Sequence, residues 1–569
     1  MNIECKIPTI DGSVQIAESS TVIPHPMIDQ KIRASIKIEQ KQLSNHLSRL
    51  NKSNGTQPDL SKKQFVKNIA VNLLGFGLGI VSGLILTPYW LKSLGESAYG
   101  LVALTRDLVM YSSLITVIVS SSVSRFVTIE VGRGNYDRAN RTLNTSFWTS
   151  VTLGLLVLLV AWAASFYTTS LIDVPPEYER DSRYMLMLAA MSFGVALVAT
   201  SFKVAMFSTN RIDLDSWTSI WVRIVQIVIG VGLVATVYAR PAALLIASLA
   251  GSMVGLVGGV YYWRRLAPWS HINRTIDLGV LREQLIFSSW SVVNRVGALL
   301  YLHMDLLIIN RFLGPVAGGQ YAALLQWPLL LRSFGAIVFA VFAPSIMHHY
   351  ARNAIDDMVK YIRWGTRMMG LILSLPIGLI CGLGQPLLTI WLGPKYSNYN
   401  WLLLLMVLHL SINVSISPLF SALNAANRVK VPALVTCVLG AGNLFLAIFL
   451  TTIIDIYGVA AASAIMLTAK NTFFLPIYTA KTLGCRWHVF FLELVEISLL
   501  TCAVTAFGLL GSHFLSLNTL PRLATACLML GLMYVTVVWF VVLSRKERNQ
   551  LWRQFIEPIL ARMFVLTNK

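Results

Sequence analysis

Residues 242–263 read AALLIASLAGSMVGLVGGVYYW, a run without a charged side chain. A helix of about 20 apolar residues spans the hydrocarbon core of a bilayer. Runs of this kind recur along the chain, and they are too continuous for the alternating strands of an outer-membrane barrel. A helix satisfies its own backbone hydrogen bonds in lipid. The segment therefore predicts a membrane-spanning helix within a bundle of similar helices.

The composition of the whole chain supports the same fold class. Of its 569 residues, 55% are hydrophobic and 13% are charged, about half the charged fraction of a soluble domain. We expect an all-α polytopic membrane protein and not a soluble enzyme. The apolar runs predict about fourteen spans, at residues 65–91, 99–125, 147–167, 185–207, 217–238, 242–263, 285–309, 321–347, 368–392, 401–423, 431–454, 459–478, 489–510 and 523–543.

Lys and Arg are distributed unequally between the two sets of predicted loops. With the N-terminus inside, the inner loops and the C-terminal tail carry roughly three times as many basic residues as the outer loops. Positively charged loops stay in the cytoplasm, so we expect a multi-pass protein of the cytoplasmic (inner) membrane with both termini inside. The formal net charge of +20 then reflects orientation and not a nucleic-acid partner.

Two similar stretches predict an internal repeat. Gly95 and Gly314 each follow a leucine at the end of an apolar run, and Tyr99 and Tyr321 open the next run. Because six helices per unit is an even number, the two units would share one orientation in the membrane. The predicted segments are a cytoplasmic basic tail (1–64), an N-lobe (65–263), a cytoplasmic linker (264–284), a C-lobe (285–488), two extra helices (489–543) and a cytoplasmic amphipathic tail (544–569).

The last of these segments predicts a helix that lies on the membrane surface. Trp552, Phe555 and Ile559 share one helical face, and basic residues lie opposite them. This pattern is typical of an interfacial helix on an anionic leaflet. The alternative is a frayed tail.

Motifs of catalysis and metal binding do not occur in the sequence. We find no P-loop, no HExxH, no nucleophile elbow and no CxxC. The six cysteines fall mostly within apolar runs and are interpreted as small apolar side chains. The sequence therefore predicts no metal, no cofactor and no enzymatic activity.

Charged residues fall within several predicted spans, where a charge at the bilayer centre costs at least about 2.5 kcal/mol. Such residues face a partner or a wet cavity. The basic residues outnumber the acidic ones, and pairing cannot neutralise the surplus. The basic residues are Arg106, Arg125, Lys203, Arg223, Arg295, Arg332 and Lys470, and the acidic ones are Asp107, Asp305, Glu493 and Glu496.

The surplus of positive charge predicts a hydrated cavity that binds an anionic headgroup. A guanidinium group suits phosphate because its planar fork donates two parallel hydrogen bonds. We predict that Arg106, Arg295 and Arg332 bind this group, with Arg223 and Lys203 as further candidates. The alternative is that these residues form interhelical salt bridges.

The carboxylates suggest a second role. Asp305 and Asp107 are candidates for binding a coupling proton or cation. The alternative for Asp305 is a structural ion pair with Arg295 or Arg332.

Glycines four residues apart predict close packing between helices, because small residues let two backbones approach. Two spans carry this pattern, with Gly75, Gly79 and Gly83 in the first and Gly251, Gly255 and Gly259 in the sixth.

Several short motifs lie between residues 65 and 480. They are Thr87-Pro88-Tyr89, Leu94-Gly95, Ala98-Tyr99-Gly100-Leu101, Ser124-Arg125-Phe126, residues 132–140 (GRGNYDRAN), residues 422–430 (ALNAANRVK) and residues 457–462 (YGVAAA). Over roughly this range the sequence resembles bacterial polysaccharide (O-antigen type) flippases. This family belongs to the superfamily that also holds the lipid II flippases and the multidrug exporters of the MATE type.

The resemblance implies a V-shaped pair of six-helix lobes around a cavity lined chiefly by the first two helices of each lobe. It implies that an oligosaccharide on polyprenyl diphosphate is flipped from the inner to the outer leaflet. In this sequence those helices carry Arg106, Arg295, Asp305 and Arg332.

We therefore expect a flippase that works by alternating access, driven by an ion gradient or the membrane potential. Its expected partners are the anionic lipid-linked oligosaccharide, membrane lipids and proteins of polysaccharide polymerisation and assembly. The alternatives are a MATE-like exporter of cationic drugs, which predicts an acidic cavity, and a membrane glycosyltransferase or polymerase, which needs an acceptor-handling outer loop. A passive scramblase is also compatible with the sequence.

Overall fold

The computed structural model describes residues 58–209, 211–236, 239–274 and 276–551. Every regular element in these ranges is a helix, which confirms the all-α fold class. Most of the predicted basic tail, up to residue 57, lies outside the described residues, and so does the interfacial helix predicted from Trp552 onward.

The N-terminal half of the described chain consists of long helices connected by short loops. A π-helical segment, Val81–Ile85, joins the first two helices, and a 3-10 helix, Pro176–Tyr178, precedes the seventh. The α-helices are α1 (Pro58–Ile80), α2 (Leu86–Leu94), α3 (Glu96–Met110), α4 (Ser113–Gly132), α5 (Tyr136–Ser165), α6 (Thr168–Leu171), α7 (Glu179–Ser208), α8 (Ile212–Thr236) and α9 (Ala242–Leu266).

The C-terminal half is more interrupted. It contains a 3-10 helix at Pro394–Tyr399 and π-helical segments at Lys470–Phe474 and Val538–Val542. The α-helices are α10 (Leu278–Leu302), α11 (Asp305–Leu324), α12 (Gln326–Ala351), α13 (Ile355–Gly382), α14 (Gly384–Leu392), α15 (Asn400–Val407), α16 (Leu410–Ser415), α17 (Ser417–Ala425), α18 (Lys430–Ile454), α19 (Ile456–Ala469), α20 (Leu475–Thr482), α21 (Phe491–Phe514), α22 (Leu520–Val537) and α23 (Arg545–Leu551).

Twelve segments of the described residues are long and apolar enough to cross a membrane. One of them, Ser288–Ala351, has 64 residues, and Gly314 breaks its helix with φ 84° and ψ 174°. The segment 96–132 is helical but is not among the twelve. The predicted count of about fourteen is therefore close to the observed number but is not confirmed by it.

The loops lie at two ends of the bundle. The loops around residues 133–135 and 267–277 share one end, where Arg138 contacts Glu283 at 3.2 Å and the side chain of Asn144 donates to the carbonyl of His271 at 2.7 Å. We call this end the basic face, because the sequence places most Lys and Arg there. The other end, the opposite face, carries the loops at residues 95, 166–178 and 314.

The two halves touch through backbone at the opposite face. Gly95 (φ 88°) and Gly314 (φ 84°), the two glycines of the predicted repeat, have a positive φ that favours glycine. Just beyond them, a Cβ atom at Gly100 would lie 2.5 Å from the amide nitrogen of Gly319. Any side chain at Gly319 would collide with the carbonyl of Glu96. The start of α3 and the part of α11 that follows Gly314 are therefore packed so closely that neither Gly100 nor Gly319 has room for a side chain.

Two predicted spans are interrupted in the structure. The spans predicted at 99–125 and 285–309 are broken at Tyr111–Ser112 and at His303–Met304. The breaks face each other, because the hydroxyl of Tyr111 donates to the carbonyl of His303 at 2.8 Å. A side chain from the other half thus satisfies a backbone group that the break releases within the membrane.

An arginine on α13 connects the last helices to the C-terminal half. Arg367 contacts Glu496 on α21 at 2.8 Å, donates to the carbonyl of Val542 and binds Glu547 on α23. Burial raises the pKa of Glu547. Hydrogen bonds from Ser544 and Arg367 and the charge of Arg367 together lower it by more, so the pKa lies below its ordinary value. The carboxylate is therefore ionised at neutral pH, and its contribution to stability is lost as the pH falls through this lowered pKa.

We predict that Arg367→Met lowers the free energy of unfolding by about 1–3 kcal/mol, since it leaves two half-buried carboxylates without their cation. Lys360→Met on the same helix is the matched control. Its exposed pair with Asp357 should contribute at most about 0.5 kcal/mol. Thermal unfolding of the detergent-solubilised protein measures both, and an equal loss in the two variants would contradict the role given to Arg367.

Candidate functional site

A polar chamber of about 490 Å³ lies within the N-terminal half. Helices α2, α3, α8 and α9 form its walls, and one residue of α12 completes them. Its lining contains two arginines and no carboxylate. The lining residues are Ser82, Leu86, Trp90, Tyr99, Arg106, Met110, Arg223, Gln226, Ile227, Leu244, Ala247, Ser248 and Gln326. We call this space the arginine chamber.

Glycines make room for the polar side chains of the chamber. A Cβ atom at Gly79 would lie 3.0 Å from Nη1 of Arg223, and one at Gly83 would lie 3.1 Å from Oε1 of Gln326. The glycine repeat of the first span therefore does more than pack helices, because two of its members border the chamber.

The arginines of the chamber have no counter-ion in the described part of the chain. Neither Arg106 nor Arg223 takes part in an ion pair there, and both side chains are exposed to the chamber. Asp107 directly follows Arg106, but its Oδ1 lies 2.9 Å from Nδ1 of His303 in the other half. The neighbouring acid is thus bound to a different partner.

A smaller cavity of about 90 Å³ lies in the C-terminal half and contains Arg332, Asp305, Tyr321 and His409 in its lining. Asp305 begins α11 and is buried, and its Oδ2 accepts a hydrogen bond from the Tyr321 hydroxyl at 2.7 Å. Its Oδ1 is buried and has no hydrogen-bond partner among the described residues. We call this space the aspartate pocket.

The remaining predicted residues lie elsewhere. Arg295 on α10 donates from Nε and Nη2 to the Ser113 hydroxyl of α4, at 3.1 and 3.0 Å, and so connects the two halves. Lys203 contacts Asp215 at 2.6 Å near the basic face. Neither residue lines the arginine chamber or the aspartate pocket.

The structure thus separates the five basic residues that the sequence singles out. Arg106 and Arg223 share a chamber, Arg332 lies in a second cavity, Arg295 is at the contact between the halves, and Lys203 is paired. Within the described residues, Asp305 forms no salt bridge with Arg295 or Arg332, which was the alternative prediction. In contrast, Glu493 and Glu496 are paired, with Arg363 and Arg367.

Helical spacing alone places Gln226 on one face with Arg223, one turn after it. Other polar residues of these sites are not identified by the sequence. Gln326 belongs to the C-terminal half but enters the arginine chamber, and no local signal reports that placement. Lys470, named as a membrane-embedded cation but not as a site residue, is buried with its Nζ 5.5 Å from the Tyr301 ring, a distance typical of a cation–π contact.

Comparisons with known proteins agree with this architecture. The family described as "Polysaccharide biosynthesis protein" matches residues 65–349. The "Uncharacterized membrane protein EpsK" of Bacillus subtilis (strain 168) is 32% identical over 501 residues, which cover 86% of this chain and 98% of EpsK.

Solved structures resemble the fold at low sequence identity. The lipid II flippase MurJ in an inward closed conformation has a TM-score of 0.55 at 12% identity, covering 83% of this chain and 99% of MurJ. A mutant of the Vibrio cholerae MATE transporter VcmN has a TM-score of 0.54 at 11% identity, covering 77% and 98%. An inward-facing multidrug resistance MATE family transporter of the MOP superfamily has a TM-score of 0.52 at 13% identity, covering 77% and 99%. The chain belongs to the polysaccharide biosynthesis protein family, and its fold is similar to the folds of MurJ and the MATE transporters.

Proposed function

We propose that the protein moves an oligosaccharide linked to a polyprenyl diphosphate from the cytoplasmic to the outer leaflet of the inner membrane. The basic face and both termini lie in the cytoplasm in this proposal. The observation that carries it is the arginine chamber, where Arg106 and Arg223 lie without a carboxylate in the lining.

The diphosphate matches the chamber in charge and in hydrogen-bonding geometry. Each guanidinium donates two parallel hydrogen bonds to phosphate oxygens. Binding of the anion also removes the electrostatic cost of two cations within the membrane. The amides of Gln226 and Gln326 and the Ser248 hydroxyl can bond sugar hydroxyls, while the polyprenyl chain remains in the bilayer.

The same observation disfavours an exporter of cationic drugs. A cation needs a carboxylate or an aromatic cage, and the arginine chamber supplies two positive charges instead. A glycosyltransferase is disfavoured because its chemistry needs an acceptor-handling group, and the chamber lining contains neither His nor Asp nor Glu. In this proposal the protein transports its substrate without covalent chemistry. Its proposed partners are membrane lipids and proteins of polysaccharide assembly.

Alternating access requires the contact at the opposite face to open. In the structure Glu96 holds that contact closed, since it accepts hydrogen bonds from Gln320 at 3.0 Å, Lys395 at 2.9 Å and Tyr396 at 2.6 Å. All three donors belong to the C-terminal half. We propose that this cluster separates when the chamber faces outward.

The aspartate pocket is the proposed coupling site. The Oδ1 of Asp305, which accepts no hydrogen bond from the part of the chain that the structure describes, can take a proton or a small cation, and Arg332 lies in the same pocket. Neutralising Asp305 changes the charge at the start of α11, and the later part of this helix packs against α3 at the opposite face through Gly319. Asp107 is a second candidate, because it joins the arginine-bearing helix α3 to His303.

We predict that Arg106→Gln combined with Arg223→Gln slows flipping of a polyprenyl-diphosphate sugar in liposomes about tenfold or more, since the diphosphate loses its charged donors. Arg311→Gln is the matched control, because Arg311 is exposed at the opposite face and outside the chamber. Flipping that is unchanged in the double variant would reject the proposed diphosphate site.

We also predict that Asp305→Asn abolishes the stimulation of flipping by an imposed proton or sodium gradient and leaves substrate binding intact, because the amide cannot take up a cation or a proton at neutral pH. Asp357→Asn is the control, since Asp357 is exposed and pairs with Lys360. The ratio of rates with and without the gradient is the measurement. A ratio that stays at the wild-type value in Asp305→Asn would exclude Asp305 as the coupling group.

A further inference from the structure

A groove runs between helices α5 and α7 on the side of the N-terminal half that faces lipid. The two helices touch at Gly154 and Gly194, where a Cβ atom at Gly154 would lie 3.3 Å from Cα of Gly194. Beside this contact lies an apolar cavity of about 250 Å³, lined in part by Leu155, Leu158 and Met191. Leu155 is 62% exposed, so the cavity opens toward the lipid.

A second cavity, of about 510 Å³, continues the groove toward the opposite face. It is lined by Trp162 of α5, by Phe166 directly after that helix, and by Arg180, Arg183 and Tyr184 of α7, among others. Trp162 lies one turn after Leu158, about 6 Å along the helix axis. The two cavities are therefore consecutive parts of one groove. Its part toward the basic face is apolar, and its end toward the opposite face, which we call the mouth, is polar.

The mouth of the groove carries net positive charge. Arg180 and Arg183 are exposed, and neither forms an ion pair within the described residues. The nearby Asp181 is contacted by Arg240 at 3.3 Å, and Glu179 is the carboxylate in the cavity lining. The opposite face is the end poor in Lys and Arg, so orientation in the membrane does not account for these two arginines.

The dimensions of the groove match one leaflet. From residue 151 to residue 165 helix α5 rises about 21 Å, and one leaflet with its headgroup region measures about 20–22 Å. The groove thus reaches from the bilayer centre to the headgroup level. Trp162, Phe166 and Tyr184 lie at its upper end, where amphipathic rings are enriched at membrane interfaces.

We infer that this groove binds one anionic phospholipid, with the phosphate between Arg180 and Arg183 and an acyl chain along the apolar part as far as Gly154 and Gly194. Charge complementarity selects the occupant. A zwitterionic headgroup would bring its own cation against the two arginines, whereas an anionic headgroup neutralises them.

The lipid site is distinct from the arginine chamber. One helix, α7, lies between them, since Met191 lines the groove and the next residue, Ser192, has its hydroxyl 3.2 Å from that of Ser248, which lines the chamber. The inference therefore does not depend on the proposed transport substrate.

Native mass spectrometry of the purified full-length protein with added dioleoyl phosphatidylglycerol or dioleoyl phosphatidylcholine tests the inference. We expect one phosphatidylglycerol to be retained in preference to phosphatidylcholine. Arg180→Gln combined with Arg183→Gln should weaken this binding about tenfold. Arg311→Gln, at another exposed position of the same face, should leave it unchanged.

A second pair of variants tests the apolar part of the groove. Leu158→Trp fills the groove and should reduce phosphatidylglycerol binding without a change in charge. Leu499→Trp, on the exposed surface of α21, is its control. Because Arg180 and Arg183 are exposed, their replacement decides the result even if Leu158→Trp does not fold.

Three results would overturn the inference. They are equal retention of the two phospholipids, undiminished phosphatidylglycerol binding in the double arginine variant, and displacement of phosphatidylglycerol by an equal concentration of polyprenyl phosphate. The last would show that the groove receives the carrier lipid and not a phospholipid.

Discussion

An arginine within a membrane needs either a counter-ion or water, and Arg106 and Arg223 have no counter-ion in the described chain. The helices around the arginine chamber leave room for polar side chains beside these two arginines. A Cβ atom at Gly251 would lie 2.5 Å from Cγ of Gln226, so a larger residue there would push Gln226 out of position. Polar amides and hydroxyls complete the walls. The result is a space that an anion of suitable size can occupy.

The acidic residues of the membrane interior are arranged so that they do not neutralise these arginines. Asp107 contacts His303, and Asp305 accepts a hydrogen bond from Tyr321. Glu493 and Glu496 bind arginines of α13. These four carboxylates thus lie outside the lining of the arginine chamber. A molecule that used its arginines only to tie helices together would pair them with these acids.

Much of the fold follows from the sequence because its signals are local or additive. Apolar run length predicts a spanning helix wherever it occurs, and the glycines at positions 95 and 314 share a conformation that the repeated motif implies. The breaks at Tyr111–Ser112 and at His303–Met304 were not predictable, because the hydrogen bond that joins them, from the Tyr111 hydroxyl to the carbonyl of His303, links residues far apart in the sequence. Embedded cations could also be identified from the sequence alone.

The grouping of those cations could not be predicted from the sequence. Helical spacing places Arg223 and Gln226 on one face of their own helix, but it does not state which helix that face meets. Arg295 was predicted to bind the anionic headgroup and instead bonds Ser113 across the contact between the halves. Gln326 enters the arginine chamber from the other half. Such placements depend on tertiary packing, which a periodic pattern does not encode.

The most direct test of the central claim is a cryo-electron microscopy map of the protein in lipid nanodiscs with a bound polyprenyl-diphosphate sugar. The account predicts density for the diphosphate between the guanidinium groups of Arg106 and Arg223, with the sugar near Gln226. A diphosphate bound elsewhere, or a chamber closed by the two arginines turning onto carboxylates, would contradict it.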